Sequence, residues 1–511
     1  MTDPRRAVHP APPGVPDAGA LARRPHVVVV GGGIAGFAAA TGLAERGVTV
    51  DVIEREPYLG GRVGGWTDNL GPDFPAPGVA MNRGFHAFFR QYYNLRNMLR
   101  RIDPDLGMLI PVDDYPLVDA HGRVDTFRGL PQSPPLNALM FALRSPTFRL
   151  RDLARLNARA AAPLAAVSVP DIYDRLDDVD AETFLRDISF PDAARHLAFE
   201  VFSRSFFAQP AALSAAELAA MFHIYFLGSS EGLIFDVANA NFDVALWNPL
   251  RRYLESRGVV FHTELTVTAL ESGPRFIVQC DDGMALETDG VVLAINVAGL
   301  RNIVQNSPGL GDDPWRAQIS ALHTAPPFVV QRLWLEQPVN SDRPAFLGLG
   351  GRAPVDNVSV LDRYEHEAAE WARRTGGSVV ELHSYAATGE ADDLREQMLA
   401  RLHELYPETA GSGIVGELTL TRADCPRFAP GDFAARPGVG TPHPALALAG
   451  DGIRIDLPVA LMERAATTGW SAANRLLSHF GVAGHSLQTV PTQGRSAALR
   501  RLAQRERQPA G

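Results

Sequence analysis

The sequence predicts an α/β fold in which a Rossmann-like nucleotide-binding domain is interrupted by a mixed α+β substrate domain, and three observations predict it. A β-branched run at 26–30 ends on Gly31-Gly32-Gly33-Ile34-Ala35-Gly36 and passes into an alanine-rich stretch at 37–46, which reads as strand, glycine turn and helix. Gly47 stops that helix, and the run 48–54 forms a second strand ending in an acid, so a βαβ unit closes within about 30 residues. Far downstream, the apolar run 445–448 leads into Ala449-Gly450-Asp451 and another helical stretch.

Each part of the chain follows in order. Residues 1–24, rich in proline and alanine with Arg5 and Arg6, are expected as a disordered N-terminal extension, since no apolar signal core follows the arginines. Residues 25–91 hold the first part of the nucleotide-binding domain. Residues 92–241 mix helical stretches with proline-broken loops such as Leu130-Pro131-Gln132-Ser133-Pro134-Pro135 and read as an inserted, largely helical domain facing substrate and membrane. Residues 242–325 return to the nucleotide-binding domain through a helix at 250–258 and short strands at 259–261, 267–270, 276–278 and 290–295. Residues 326–443 read as a substrate domain of mixed β-sheet, with strands at 328–335 and 378–383 and a charged helix at 392–405. Residues 444–485 complete the nucleotide-binding domain, with a helix at 458–480 begun by Pro458 and capped by Asp456. The arginine-rich residues 486–511 are expected as a flexible tail.

Composition excludes several classes. With 511 residues, 46% of them hydrophobic, the chain buries at least one large core. A net charge of -10 and a pI near 5.8 give no positive field for a nucleic-acid backbone, so no nucleic-acid partner is expected. The two cysteines, Cys280 and Cys425, are far apart, and the 14 histidines form no HExxH or tight cluster, so no metal is assigned and a reducing cytoplasm fits. No run of about 18 apolar residues occurs, which makes any membrane contact peripheral.

The motifs carry the chemistry. Gly31, Gly33 and Gly36 form a G-x-G-x-x-G that lets backbone approach a pyrophosphate at the positive end of the following helix. Glu54, 23 residues after Gly31, stands where a carboxylate binds the hydroxyls of an adenosine ribose. Gly60, Gly61 and Arg62 extend this pattern toward FAD: the glycines allow a second close approach, and Arg62 meets the diphosphate or the flavin edge. Asp451 is placed to accept from a ribityl hydroxyl, and the helix carrying Met462, Glu463, Arg464 and Ala465 points its dipole at the flavin. Val267, opening the strand 267–270, completes the expected cofactor-binding set.

With these marks in this order, residues 26–480 resemble the phytoene-desaturase and amine-oxidase superfamily of flavoproteins, with an FAD-binding domain of the glutathione-reductase/amine-oxidase type. Gly84-Phe85-His86-Ala87-Phe88-Phe89 with Tyr92-Tyr93-Asn94-Leu95 is similar to the segment beside the flavin in carotenoid desaturases, and Leu461-Met462-Glu463-Arg464-Ala465 to their last flavin-facing helix. The longer stretches 82–95, 114–117, 125–131 and 145–155 look most like the isorenieratene synthases, which are β-carotene desaturase/methyltransferases. That resemblance implies FAD, a hydrophobic carotenoid substrate, and conversion of a β-ionone ring to an aromatic ring by dehydrogenation with methyl migration inside the ring. His86 is the expected catalytic group, as base or orienting donor, with Arg83 behind it. No feature of the sequence names an electron acceptor.

Leu136, Leu139, Met140 and Leu143 recur at helical spacing beside Arg144, Arg149, Arg151 and Arg155, which reads either as a buried helix or as a membrane-surface patch. The hydrophobic substrate favours the membrane, and the expected location is cytoplasmic, on the inner face of the cell membrane. Three readings compete. An acyclic phytoene-type desaturase would share every motif, and a prenyl- or lipid-binding escort protein can use the same fold without chemistry. An amine oxidase usually needs a lysine near the flavin, and this chain has none.

Overall fold

The computed structural model describes residues 3–72, 74, 78–112, 114–148, 155–195, 204–495, 497 and 500. Three distant stretches of chain assemble one parallel sheet from β1 (His26–Val30), β2 (Thr49–Ile53), β3 (Val260–His262), β4 (Gly290–Leu293) and β5 (Leu446–Leu448), in the order β3-β2-β1-β4-β5. The alternating valines of β1 explain its central place. Val27 and Val29 pack against α1 (Ile34–Ala44), while Val28 and Val30 pack toward the helix Val297–Asn306 and the antiparallel strands Val267–Glu271 and Phe276–Cys280. A strand covered on both faces must be apolar on both, and this one is.

Further helices fix the surroundings of the sheet: α2 (Tyr93–Leu99), α3 (Leu136–Arg144) and α4 (Leu461–His479). Helix α4 packs along α1, and its Glu463 carboxylate accepts the backbone N–H groups of Asn94 (2.8 Å) and Leu95 (3.0 Å), the open donors at the start of α2. The helix starts at Leu461 and not near Pro458, and Asp456 does not cap it: the N-cap is Ala460, whereas Asp456 is exposed and bonds Arg454. The approach through Val459 and Ala460 is buried in extended backbone, and that tertiary burial overrides the local capping signal.

A seven-stranded sheet lies beside this domain. Its order is Ile414–Arg422, Phe328–Leu335, Ser378–Ser384, Asn357–Val360, Phe346–Leu349, Leu117–Val118 and Val124–Asp125. The last two strands come from the stretch 92–241, which therefore supplies sheet as well as helices; two-residue strands carry no periodicity for a sequence to reveal.

From residue 3 on, the N-terminal stretch holds ordered elements instead of the expected disorder. Ala7–His9 pairs antiparallel with Leu487–Thr489, Asp3 is buried in an ion pair with Arg495, and Val15 bridges to Val482. This pairing also removes residues 487–495 from the expected flexible tail. Proline and alanine content registers local propensity and misses a partner strand at the other end of the chain.

Candidate active site

One cavity of about 600 Å³ runs from the C-terminal edge of the parallel sheet into the seven-stranded sheet. Gly31, Gly33, Glu54, Gly60, Gly61, Arg62, Val267, Asp451 and Met462 all line it, as do His86 and Arg83. Gly36 alone among the expected cofactor residues does not; it lies beneath the turn, where its missing Cβ lets α1 rest on the Gly31 carbonyl.

At the nucleotide end, Gly31 has φ 105, a left-handed conformation that L side chains avoid, and a Cβ there would meet the Ala294 carbonyl oxygen at 2.4 Å. The turn is held by its neighbours: Gly60 N–H donates to the Gly32 carbonyl at 2.8 Å, and Gly32 N–H to Glu54 Oε2 at 2.7 Å. Glu54 also accepts the Glu56 N–H at 3.0 Å; burial raises its pKa, and these two donors oppose the shift. Gly33 caps α1 without a side chain, leaving the helix's first N–H groups open, and a Cβ on the facing Gly61 would lie 3.2 Å from Gly33 Cα. The bare glycine walls, the free helix terminus and a buried carboxylate at the end of β2 fit the diphosphate and ribose of FAD.

Arg62 and Asp451 meet in the middle of the cavity and bind one another through two hydrogen bonds, one of them 2.8 Å. Burial works against the charge on Arg62, and the neighbouring acidic groups, Asp451 first among them and Asp424 beside it, together outweigh it. The guanidinium fork thus holds the carboxylate at the cradle floor. Behind it, Arg464 donates to Val459 and Glu217 carbonyl and carboxylate oxygens at 3.1 and 2.8 Å, and Arg436 shares Glu217 at 2.6 Å.

The far end is aromatic. Phe85 lies 4.3 Å from Phe346 and 5.9 Å from Phe235 between ring centroids, and Tyr115 packs on Phe235 at 4.6 Å. Among these rings, His86 Nδ1 donates to the Gly84 carbonyl at 2.8 Å, which leaves Nε2 with its lone pair. Burial lowers its pKa to about 4, so the ring is neutral at pH 7.

Sequence reasoning missed a second polar group on this wall. Asp356, Asn357, His383, Tyr385 and Arg204 also line the cavity. Asp356 accepts the Tyr385 N–H at 2.6 Å and pairs with Arg204 at 3.1 Å, while burial raises its pKa to about 6. His383 contacts Asn357 through Nδ1, and its Nε2 lies 3.0 Å from the Phe85 nitrogen and 2.9 Å from Glu381 Oε1. The signal was present in the period of the strand, because Glu381 and His383 stand two residues apart around Leu382, after Val379 and Val380, and so share one face. Arg332, cross-strand partner of Glu381, binds it at 2.7 Å.

Comparison with known proteins agrees with this geometry. Residues 34–477 match the family model described as flavin containing amine oxidoreductase. The chain is 56% identical to a carotenoid phi-ring synthase of Streptomyces griseus, over 98% of this chain and 96% of that protein. It is 28% identical to a carotenoid phi-ring synthase of Chlorobaculum tepidum, over 91% and 90%. Among solved structures, cyclohexylamine oxidase from Brevibacterium oxydans superposes with a TM-score of 0.63 at 17% identity, over 89% of this chain and 99% of that one, which is a likeness of fold. Nucleotide cradle, aromatic chamber and whole-length likeness together make this chain a member of the flavin containing amine oxidoreductase family and an FAD-dependent oxidoreductase.

Proposed function

We propose that the protein converts the β-ionone ring of a carotene such as β-carotene to an aromatic ring by dehydrogenation with migration of one ring methyl group. The observation that carries this reading is the unbroken cavity, in which the FAD cradle opens directly onto an aromatic chamber, in a chain 56% identical to a protein named for making phi rings. When bound, FAD supplies the hydride acceptor. The chain's own residues do the rest. Phe85, Phe235 and Phe346 exclude water from the ring and present π faces to the positive charge left on it when hydride departs. The methyl group moves to the adjacent cationic carbon, and loss of a ring proton restores the double bond. His86 Nε2 and the Asp356 carboxylate are the proton acceptors on that wall. Two losses of hydride and proton remove four hydrogens from each ring, only one of them accompanied by the methyl shift, and every carbon is kept, so no external methyl donor takes part.

Holoenzyme incubated with β-carotene in liposomes is expected to give a product lighter only by the hydrogens removed, and a methyl label at the gem-dimethyl carbon stays in the ring. Desaturation of phytoene with β-carotene left untouched would transfer the assignment to an acyclic desaturase. In the same assay, His86→Gln and Asp356→Asn are expected to lower turnover about a hundredfold or more while carotene binding persists; undiminished turnover in both removes these residues from the chemistry.

The substrate dissolves in lipid, and α3 offers a route to it. Leu136, Leu139 and Leu143 on that helix are 47%, 52% and 48% exposed, while Asn137 and Phe141 face inward. Arg144 and Arg155 are exposed nearby; Arg149 and Arg151 lie outside the described residues. No helix among the described residues is long and apolar enough to cross a membrane. We therefore place α3 on the anionic inner face of the cell membrane as a peripheral contact. Sedimentation with anionic vesicles should fall when Leu136 and Leu139 are both changed to serine and when salt is raised. Equal sedimentation of parent and variant would count against the contact.

A further inference from the structure

A second cavity, of about 420 Å³, shares no lining residue with the first and is polar where the first is apolar. Arg6, Arg90, Arg96 and Arg100 line it together with Tyr93, Asn97 and Gln488. Four guanidinium groups face two carboxylates, Asp236 and Asp105. Asp236 is already shared, accepting from Arg96 at 2.7 Å and from Arg90 at 3.1 Å. Arg6 spends its Nε on the Gln488 side-chain oxygen at 2.8 Å. Among the described residues no hydrogen bond engages the Arg100 side chain, which lies exposed at the rim; burial and the charge of Arg96 one helical turn away lower its pKa, and Glu231 opposes the shift. Even with Glu231 acting on Arg90 and Arg100 from behind the wall, arginines outnumber carboxylates in this one concave site of a chain whose net charge is -10.

Arginines 96 and 100 sit at the C-terminal end of α2, where the helix dipole favours a cation. The dipole does not account for Arg6, which arrives from the N-terminal segment, or for Arg90, which precedes the helix. Forked donors from the N-terminal segment, from Arg90 and from the end of α2 around a polar hollow are the arrangement that holds a phosphate group, through paired N–H to oxygen bonds.

We propose that this cavity binds a phosphate-bearing dianion, either a free diphosphate-type ion or the phosphate of a lipid headgroup. The bound group would neutralise the excess charge, and through Arg6 it would tie the N-terminal strand Ala7–His9 to α2 and to the strand Leu487–Thr489.

The test uses FAD-saturated holoenzyme, so that the cofactor's own diphosphate site is filled. Calorimetric titration with inorganic pyrophosphate is run beside binding to phosphatidylcholine vesicles with and without phosphatidic acid. Saturable binding that leaves the flavin spectrum unchanged is expected, weakened about tenfold by Arg100→Ala and again by Arg6→Ala. Neither side chain belongs to the apolar core, so both variants are expected to fold. Sensitivity of pyrophosphate binding to these variants identifies the free ion as ligand; sensitivity confined to the phosphatidic-acid vesicles identifies the lipid phosphate and separates this site from the leucines of α3. Absence of saturable binding in both arms, or affinities unchanged in the double variant, overturns the proposal.

Discussion

Gly36→Ala is expected to yield protein without flavin. The added Cβ would stand 1.8 Å from the Gly31 carbonyl oxygen and 3.0 Å from its carbonyl carbon, both backbone atoms of the turn proposed to receive the diphosphate. Neither side of the contact has room to yield. Gly31 is fixed in its left-handed conformation against Ala294, and every residue of α1 is buried between the sheet and α4. Accommodating the methyl means lifting the helix from the turn, at a cost at or above the roughly 1–3 kcal/mol of an overpacked core, and the lost geometry is the one that grips the cofactor. Flavin affinity should fall by about a hundredfold or more. The ratio of flavin absorbance to protein after gel filtration reads the outcome directly. Gly309→Ala, where a Cβ has open space, serves as the matched control and should retain full occupancy. Full occupancy in Gly36→Ala as well would mean that the turn is not rigid.

Glu217→Gln should be the most damaging single change away from the glycines. Glu217 is fully buried and is the common partner of Arg436 and Arg464, whose side chains are 3% and 5% exposed. Removing its charge leaves two guanidinium groups in the interior without a carboxylate, and breaking such a buried pair costs about 3–5 kcal/mol. Burial alone would raise the pKa of Glu217, but the two arginines bring it down to about 2. A carboxylate lowered in the folded state adds stability above its unfolded pKa, about 4.5, and loses it as pH falls from there toward 2. Urea unfolding of the holoenzyme should therefore show a large loss for Glu217→Gln at pH 7 and a much smaller one near pH 3. A pH-independent difference would show that packing, not charge, carries the effect.

The glycine turn, and the gathering of its neighbours around one cavity, were legible because their determinants are local. Strand, glycine turn, helix and acid occupy 26–54 without interruption, and the physical demand on each residue is visible in its type. Reach across the chain defeated the reading elsewhere. Asp356 and His383 come to the cavity wall through the pairing of Asn357–Val360 with Ser378–Ser384, and neither carries a motif. Glu217 sits in a run of alanines that looks like ordinary helix until Arg436 and Arg464 converge on it. Asp456 obeyed the local rule for capping and was overruled by buried backbone four residues later. The mistaken disorder at 1–24 has the same origin, since the strand Ala7–His9 has no meaning without Leu487–Thr489.

The order of strands in the parallel sheet governs how this protein can be made in a cell. While the ribosome is still short of residue 446, β1, β2, β3 and β4 can associate, but β4 lacks its outer neighbour β5, leaving Val291, Val292 and Leu293 on an open edge. Asp451, the partner of Arg62, has not yet been synthesised either. The nascent chain consequently passes through a long interval with an unpaired apolar strand, the kind of surface that invites aggregation and recruits chaperones. Supply of FAD during expression is therefore expected to raise the yield of soluble protein mainly by acting on chains long enough to hold β5.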